Sequence, residues 1–213
     1  VSIRQIYESE TKLRLQKVLD LPHLDAMACP VSKVNVDSLQ RQFSITVTDT
    51  DIEKRASRLP AVTYVAGYCA HVTLKKVLWC PSCKQNLVME DAGLEKENIL
   101  VASMTRGALK FPQAIVVNAV LFMEIVLDKL RSPQFATEFF ALPNQREVLV
   151  ALTSTALSEA EDLDQCDFGH SRDEVMHRIL SAAANTLLNN LCKTLNNKLS
   201  TRKEKRKLDT VKP

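Results

Sequence analysis

The 213 residues carry 46% hydrophobic and 25% charged side chains with a net charge of +3, a balance that excludes bulk disorder. Only 4 glycines are present, and because phosphate loops and dinucleotide fingerprints consume glycine, a Walker-type or dinucleotide-binding enzyme is not expected. Six cysteines are too few and too unevenly spaced for a secreted disulfide scaffold, so a reducing compartment is expected, where a C-x2-C pair reads as metal or redox chemistry.

Val1 rather than Met opens the chain, and the sequence is read as a fragment whose true start is missing. Residues 3–19 set Ile3, Ile6, Leu13, Leu15, Val18 and Leu19 among charges, an imperfect helical stripe. Pro22 and Pro30 make 21–34 a linker or loop. The alternation F-S-I-T-V at 43–47 suits a short strand, and Asp49 to Asp51 can cap a helix that runs to Leu59 and is ended by Pro60. Residues 61–78 read as helix despite Gly67, interrupted by Trp79-Cys80-Pro81-Ser82-Cys83. Residues 98–104 are short and apolar and suit strand or helix equally. Pro112 stands where a first helical turn tolerates proline, ahead of a strongly apolar helix over 115–130. Pro133 and Pro143 bracket a further helical piece, 147–157 adds another, and an acidic loop follows over 159–167.

The last element is a long amphipathic helix. Ser171-Arg172-Asp173-Glu174 has capping-box spacing, and Met176, Leu180, Ala184, Leu187, Leu191, Leu195 and Leu199 then recur every three or four residues. Eight basic residues against Glu204 and Asp209 give 193–213 a net +6, so the rest of the chain carries −3. Within this tail, Arg202, Lys203, Lys205, Arg206 and Lys207 suit nuclear import or phosphate contact, and equally a solvated helix end that aids solubility. No aromatic residue lies in the tail to stack on bases. The most apolar run, 114–127, is broken by Asn118 and Glu124 and falls short of the roughly 18–20 residues of a membrane span. No membrane partner is expected.

Cys80 and Cys83 carry the sharpest chemical signal, since two thiolates three residues apart on a turn can both reach one tetrahedral Zn²⁺. The pair is half a site, and Cys69 with His71 or Cys166 with His170 could supply the rest. On a helix, residues two apart point about 200° from one another, which disfavours Cys69 and His71. Cys166 and His170, four apart before the last helix, fit better. Cys80, Cys83, Cys166 and His170 are therefore the predicted zinc ligands, against the bland reading of reduced thiols near the surface. W-C-x-x-C also suits a thiol redox or cysteine-dependent enzyme, but no apolar strand leads into it and no long helix follows. His23, Cys29, His177 and Cys192 are expected to serve packing or to face solvent.

The run Tyr64-Val65-Ala66-Gly67-Tyr68-Cys69-Ala70, followed by Cys80-x-x-Cys83 and Leu87, resembles the Y-[IV]-A-G-Y-[VC]-A…C-x2-C…L signature of P-element-type transposases and their domesticated relatives that carry a THAP zinc finger. Gly107-Ala108-Leu109-Lys110-Phe111-Pro112 is similar to that family's G-G-L-x-x-P-S, with alanine for the second glycine and Gln113 for serine. Cys166-x-x-x-His170 before a long Asn-bearing helix resembles its C-terminal end. The likeness covers about residues 60–200, and residues 1–59 share nothing with it. It implies the helical C-terminal region of such a protein, without the N-terminal finger, the RNase H-like core or the Q-D-x-x-E motif that supplies the last catalytic carboxylate.

The fold expected is mainly α: an irregular helical domain over 60–200 with a long C-terminal amphipathic helix, a zinc knuckle and minor β, preceded by an N-terminal segment over 1–59 and followed by a basic tail over 201–213. The expected function is a non-catalytic, zinc-stabilised module of a transposase-derived nuclear protein, acting in assembly, including self-association, or in non-specific DNA contact.

Overall fold

A computed structural model describes residues 35–76, 80–89, 98–104, 110–158 and 172–210, the last nine of these by backbone path alone. The elements are α1 (Val36–Phe43), α2 (Asp49–Glu53), a 3-10 turn (Ala56–Arg58), α3 (Leu59–Lys76), α4 (Pro81–Leu87), β1 (Val88–Met89), α5 (Ile99–Met104), β2 (Phe111–Pro112), α6 (Ala114–Leu130), α7 (Ala136–Ala141), α8 (Gln145–Ser158) and α9 (Arg172–Thr210). The fold is mainly α, as the sequence periodicity predicts, and the two strands form a single antiparallel ribbon with Val88 opposite Pro112 and Met89 opposite Phe111.

The centre is α6. Ten of its seventeen residues are buried, from Val116 to Leu130, around most of its circumference, and a helix apolar on all sides must be surrounded. It is surrounded by α3, α8 and α9, and α9 packs in turn on α3 and α8, so that four helices close on one interior. Small buried residues, Ala66, Cys69 and Ala70 on α3 and Ala183 and Ala184 on α9, accompany the contact between those two helices. Gln145 staples the α7–α8 corner, its Nε2 donating to the carbonyls of Phe140 at 3.0 Å and Leu142 at 3.1 Å.

Residues 35–59 pack with the helices that follow them. α1 packs on α8 and contributes Leu39 and Phe43 to the same core as the later helices, with the Phe43 ring edge-on to Phe135 at 5.8 Å. Burial of a phenylalanine contributes about 1.5–3 kcal/mol. Residues 35–59 thus share the core of the later helices, and residues 1–34 lie outside the described residues.

Three local expectations are corrected. The strand expected over 43–47 is absent: Phe43 ends α1, and Ser44 turns left-handed (φ 41°, ψ 45°) with its N–H donating to the Gln40 carbonyl at 2.8 Å. Ile45 and Val47 then pack against the core from a segment that has no strand partner, since alternation records which side chains turn inward whether or not a ladder forms. The helix expected from Asp49 to Leu59 breaks after Glu53, and Pro60 lies in the first turn of α3 instead of ending a helix. A first-turn proline is tolerated because its missing N–H would have had no intrahelical partner. Pro112, expected in a helical turn, is in β2, and Gln113 is the extended residue from which α6 starts. Residues 98–104, open to either state, fold as α5.

Candidate functional site

Cys80 has extended backbone (φ −102°, ψ 106°) and caps α4, with Pro81 at the first helical position. Proline there fixes the turn without wasting a donor. The Cys80 Sγ accepts the N–H of Cys83 at 3.4 Å, so both sulfurs belong to one turn. Their surroundings are the core: Cys80 is 4% and Cys83 2% exposed, which corrects the reading of surface thiols. The turn is held from outside by Gln113, whose N–H donates to the Leu87 carbonyl at 2.9 Å and whose Nε2 donates to the Gln85 carbonyl at 3.1 Å.

The donor set, two cysteines on one turn, is of the type that makes up half of a tetrahedral zinc site. Two thiols on one turn, with a backbone N–H directed at a sulfur, are what a knuckle uses to orient its ligands. Cys166 and His170, the expected other half, lie outside the described residues. Among the described residues no group of three or more His, Cys, Asp or Glu side chains gathers as a metal would require. Burial also bears on the redox alternative, because a cysteine residue only 4% exposed offers little access to a protein disulfide.

The other described cysteines serve packing. Cys69 is buried in α3, where burial pushes its thiol up to about 12 while a hydrogen bond from Thr186 acts in the lowering direction. His71, two residues on, is only partly buried, and the helical offset separates the pair as expected. Cys192 is buried on α9, its Sγ accepting from the Asn196 Nδ2 at 3.7 Å, and His177 faces solvent. His23 and Cys29 lie outside the described residues.

α9 spans 39 residues, about 58 Å at 1.5 Å per residue. Among the described side chains the last that packs against the core is Leu195, and the helix runs on to Thr210. Arg202, Lys203, Lys205, Arg206 and Lys207 thus fall on consecutive turns of one continuous helix. The backbone of the tail is helical to Thr210, which is compatible with phosphate contact and with a solvated helix end alike.

The sequence reading missed an ionic clamp between the 3-10 region and α6. Arg55 pairs with Glu124 at 3.5 Å and with Asp128, and Arg58 also reaches the same Glu124 Oε1. The Glu124 side chain is 11% exposed, and its Oε2 is buried without a hydrogen-bond partner. Beside it, Lys129 donates to the Asp51 carboxylate and to the Thr46 carbonyl, each at 2.6 Å. Asp51 in turn caps α2, accepting from the Thr48 N–H at 3.1 Å and hydroxyl at 2.8 Å. The one local sign was Glu124 itself, a carboxylate inside an apolar helix, which requires a cation close by.

Comparison with known protein families, with characterised proteins and with solved structures finds no match. In the fold, the described pieces of the transposase resemblance are neighbours: Tyr64 to Ala70 lie on α3, and both β2 and the α4 turn that carries Cys83 pack against that helix.

Proposed function

We propose that the chain is a non-catalytic binding module, the helical C-terminal region of a P-element-type, transposase-derived nuclear protein, and that its basic helical end contacts DNA without sequence preference. One observation carries the reading: α9 continues past Leu195, the last core contact among the described side chains, to Thr210, with Arg202, Lys203, Lys205, Arg206 and Lys207 on a helix that the core anchors. A cationic helix so anchored can lie along a phosphate backbone at little ordering cost. Zinc held by Cys80, Cys83, Cys166 and His170 would join the α4 turn to the start of α9. The burial of Cys80 and Cys83 favours this over thiol exchange. Assembly with a second copy is the other use of an anchored, extended helix.

The test is duplex binding by the full chain at several salt concentrations, beside a variant in which those five basic residues are replaced by glutamine. Each phosphate neutralised contributes a slope of about 0.9 to the fall of log K with log salt. The variant should lose most of that slope and bind unrelated duplexes equally weakly. Full affinity in the variant would refute a DNA-contacting helical end.

A further inference from the structure

Ser57 stands inside the turn that forms the ionic clamp. The Arg58 N–H donates to the Arg55 carbonyl at 2.8 Å, closing a four-residue turn whose two ends are the arginines that meet on the Glu124 Oε1. Residues of a 3-10 turn follow one another at about 120°. Arg55 and Arg58, three apart, therefore share the side that faces α6, and Ser57 projects from another side, where it is exposed. Lys54, three residues before Ser57, is exposed as well, and Arg58 keeps 58% of its side chain exposed while it reaches Glu124. An accessible hydroxyl preceded by Lys54 and Arg55 and followed by Arg58 has the charge pattern that a protein kinase with an acidic substrate groove selects.

A phosphate on Ser57 would bring a charge of about −1.5 to −2 and three acceptor oxygens into this turn, beside both guanidinium groups. Arg58, the more exposed of the two, is the one that can swing to it without giving up a buried position. Glu124 then keeps Arg55 alone, at 3.5 Å, and Arg55 is shared with Asp128. The Glu124 Oε2 is already buried without a hydrogen-bond partner, so this carboxylate cannot recover from water what it loses. Phosphate and Glu124 also repel one another, and the two anions compete for one pair of cations.

We infer that Ser57 is a phosphorylation site, and that its phosphate draws Arg58 from Glu124 and loosens the hold of residues 49–58 on α6. In the reaction the Ser57 Oγ attacks the γ-phosphorus of ATP, the bond from that phosphorus to the β-phosphate oxygen breaks, ADP leaves, and the hydroxyl proton passes to a carboxylate of the kinase. α1 would keep its seat, because Leu39 and Phe43 belong to the core. The inference rests on the clamp and is independent of the basic helical end and of zinc.

The experiment uses the full chain. Given ATP and a serine/threonine kinase that selects basic residues ahead of the serine, the wild type should take up phosphate at Ser57, mapped by mass spectrometry, and Lys54→Gln should lose most of that uptake. The chain carrying phosphoserine at position 57 should unfold at lower urea, its unfolding constant raised about 5- to 30-fold, whereas Ser57→Ala should match the wild type. In the Arg55→Ala/Arg58→Ala/Glu124→Leu background the same phosphate should leave the midpoint where it was. By phosphorus NMR the second pKa of the phosphate should fall below its ordinary value of about 6 and return to it in Arg55→Ala/Arg58→Ala. Phosphate confined to the exposed Ser200 or Thr201, with none at Ser57, would overturn the site. An equal loss of stability with and without the clamp, or a phosphate pKa indifferent to the arginines, would overturn the transfer of Arg58.

Discussion

Removing the arginines that face Glu124 tests how the N-terminal part is fastened to α6. The Glu124 and Arg55 side chains are 11% and 16% exposed, close to the regime in which removing one partner of a buried pair costs about 3–5 kcal/mol because the other charge is left uncompensated. Arg58 is 58% exposed, and a pair at that exposure contributes up to about 1 kcal/mol. With Arg58 still in place, Arg55→Ala should therefore cost about 2 kcal/mol, and Arg55→Ala/Arg58→Ala about 3. Adding Glu124→Leu to the double variant should recover most of that loss, since it removes both the stranded charge and the Oε2 that already lacks a partner. Urea unfolding followed by circular dichroism reads these differences through the midpoint at constant m. A double arginine variant within about 0.5 kcal/mol of wild type, the scatter of ordinary surface substitutions, would refute the clamp. So would a triple variant no more stable than the double.

The hydrogen bond from Lys129, joined by those from Thr48, holds Asp51 at about 2 against its ordinary 3.8. A carboxyl depressed in the fold stabilises above its unfolded value and loses that contribution as pH falls through the folded one, so the effect is complete above about pH 4 and gone below about pH 2. With both side chains partly exposed, solvent screening brings it to about 1 kcal/mol, and Asp51→Asn should lose this amount at pH 7 and only a small part of it near pH 2 when unfolding is measured at both. For the metal, native mass spectrometry should find one zinc on the intact chain and none in Cys83→Ser or His170→Ala. A wild-type chain free of metal, or a Cys83→Ser chain that keeps it, would end the four-ligand assignment.

Much of the architecture was legible because α6 and α9 are long and strongly patterned, and length lets periodicity outweigh local accident. Cys80 and Cys83 were legible as a turn, but not the short helix that Pro81 opens there. The errors fell where one local sign has two meanings. Pro60 and Pro112 both mark a boundary, but a proline can open a helix, close one or sit in an edge strand, and only the packing decides. The alternation at 43–47 recorded a buried face without revealing that no second strand lies beside it. The clamp was illegible because Arg55 and Asp128 are 73 residues apart in sequence, and Arg58 and Glu124 are 66 apart.

From Arg172 to Thr210, α9 contains neither glycine nor proline, the residues that most often kink a helix. The core therefore clocks its far end. One residue inserted after Leu199 would turn everything beyond it by about 100° and advance it by about 1.5 Å, while Leu188 and Leu191 kept their seats in the interior. Azimuth along this helix is thus a variable that evolution or an experimenter can set without touching the core.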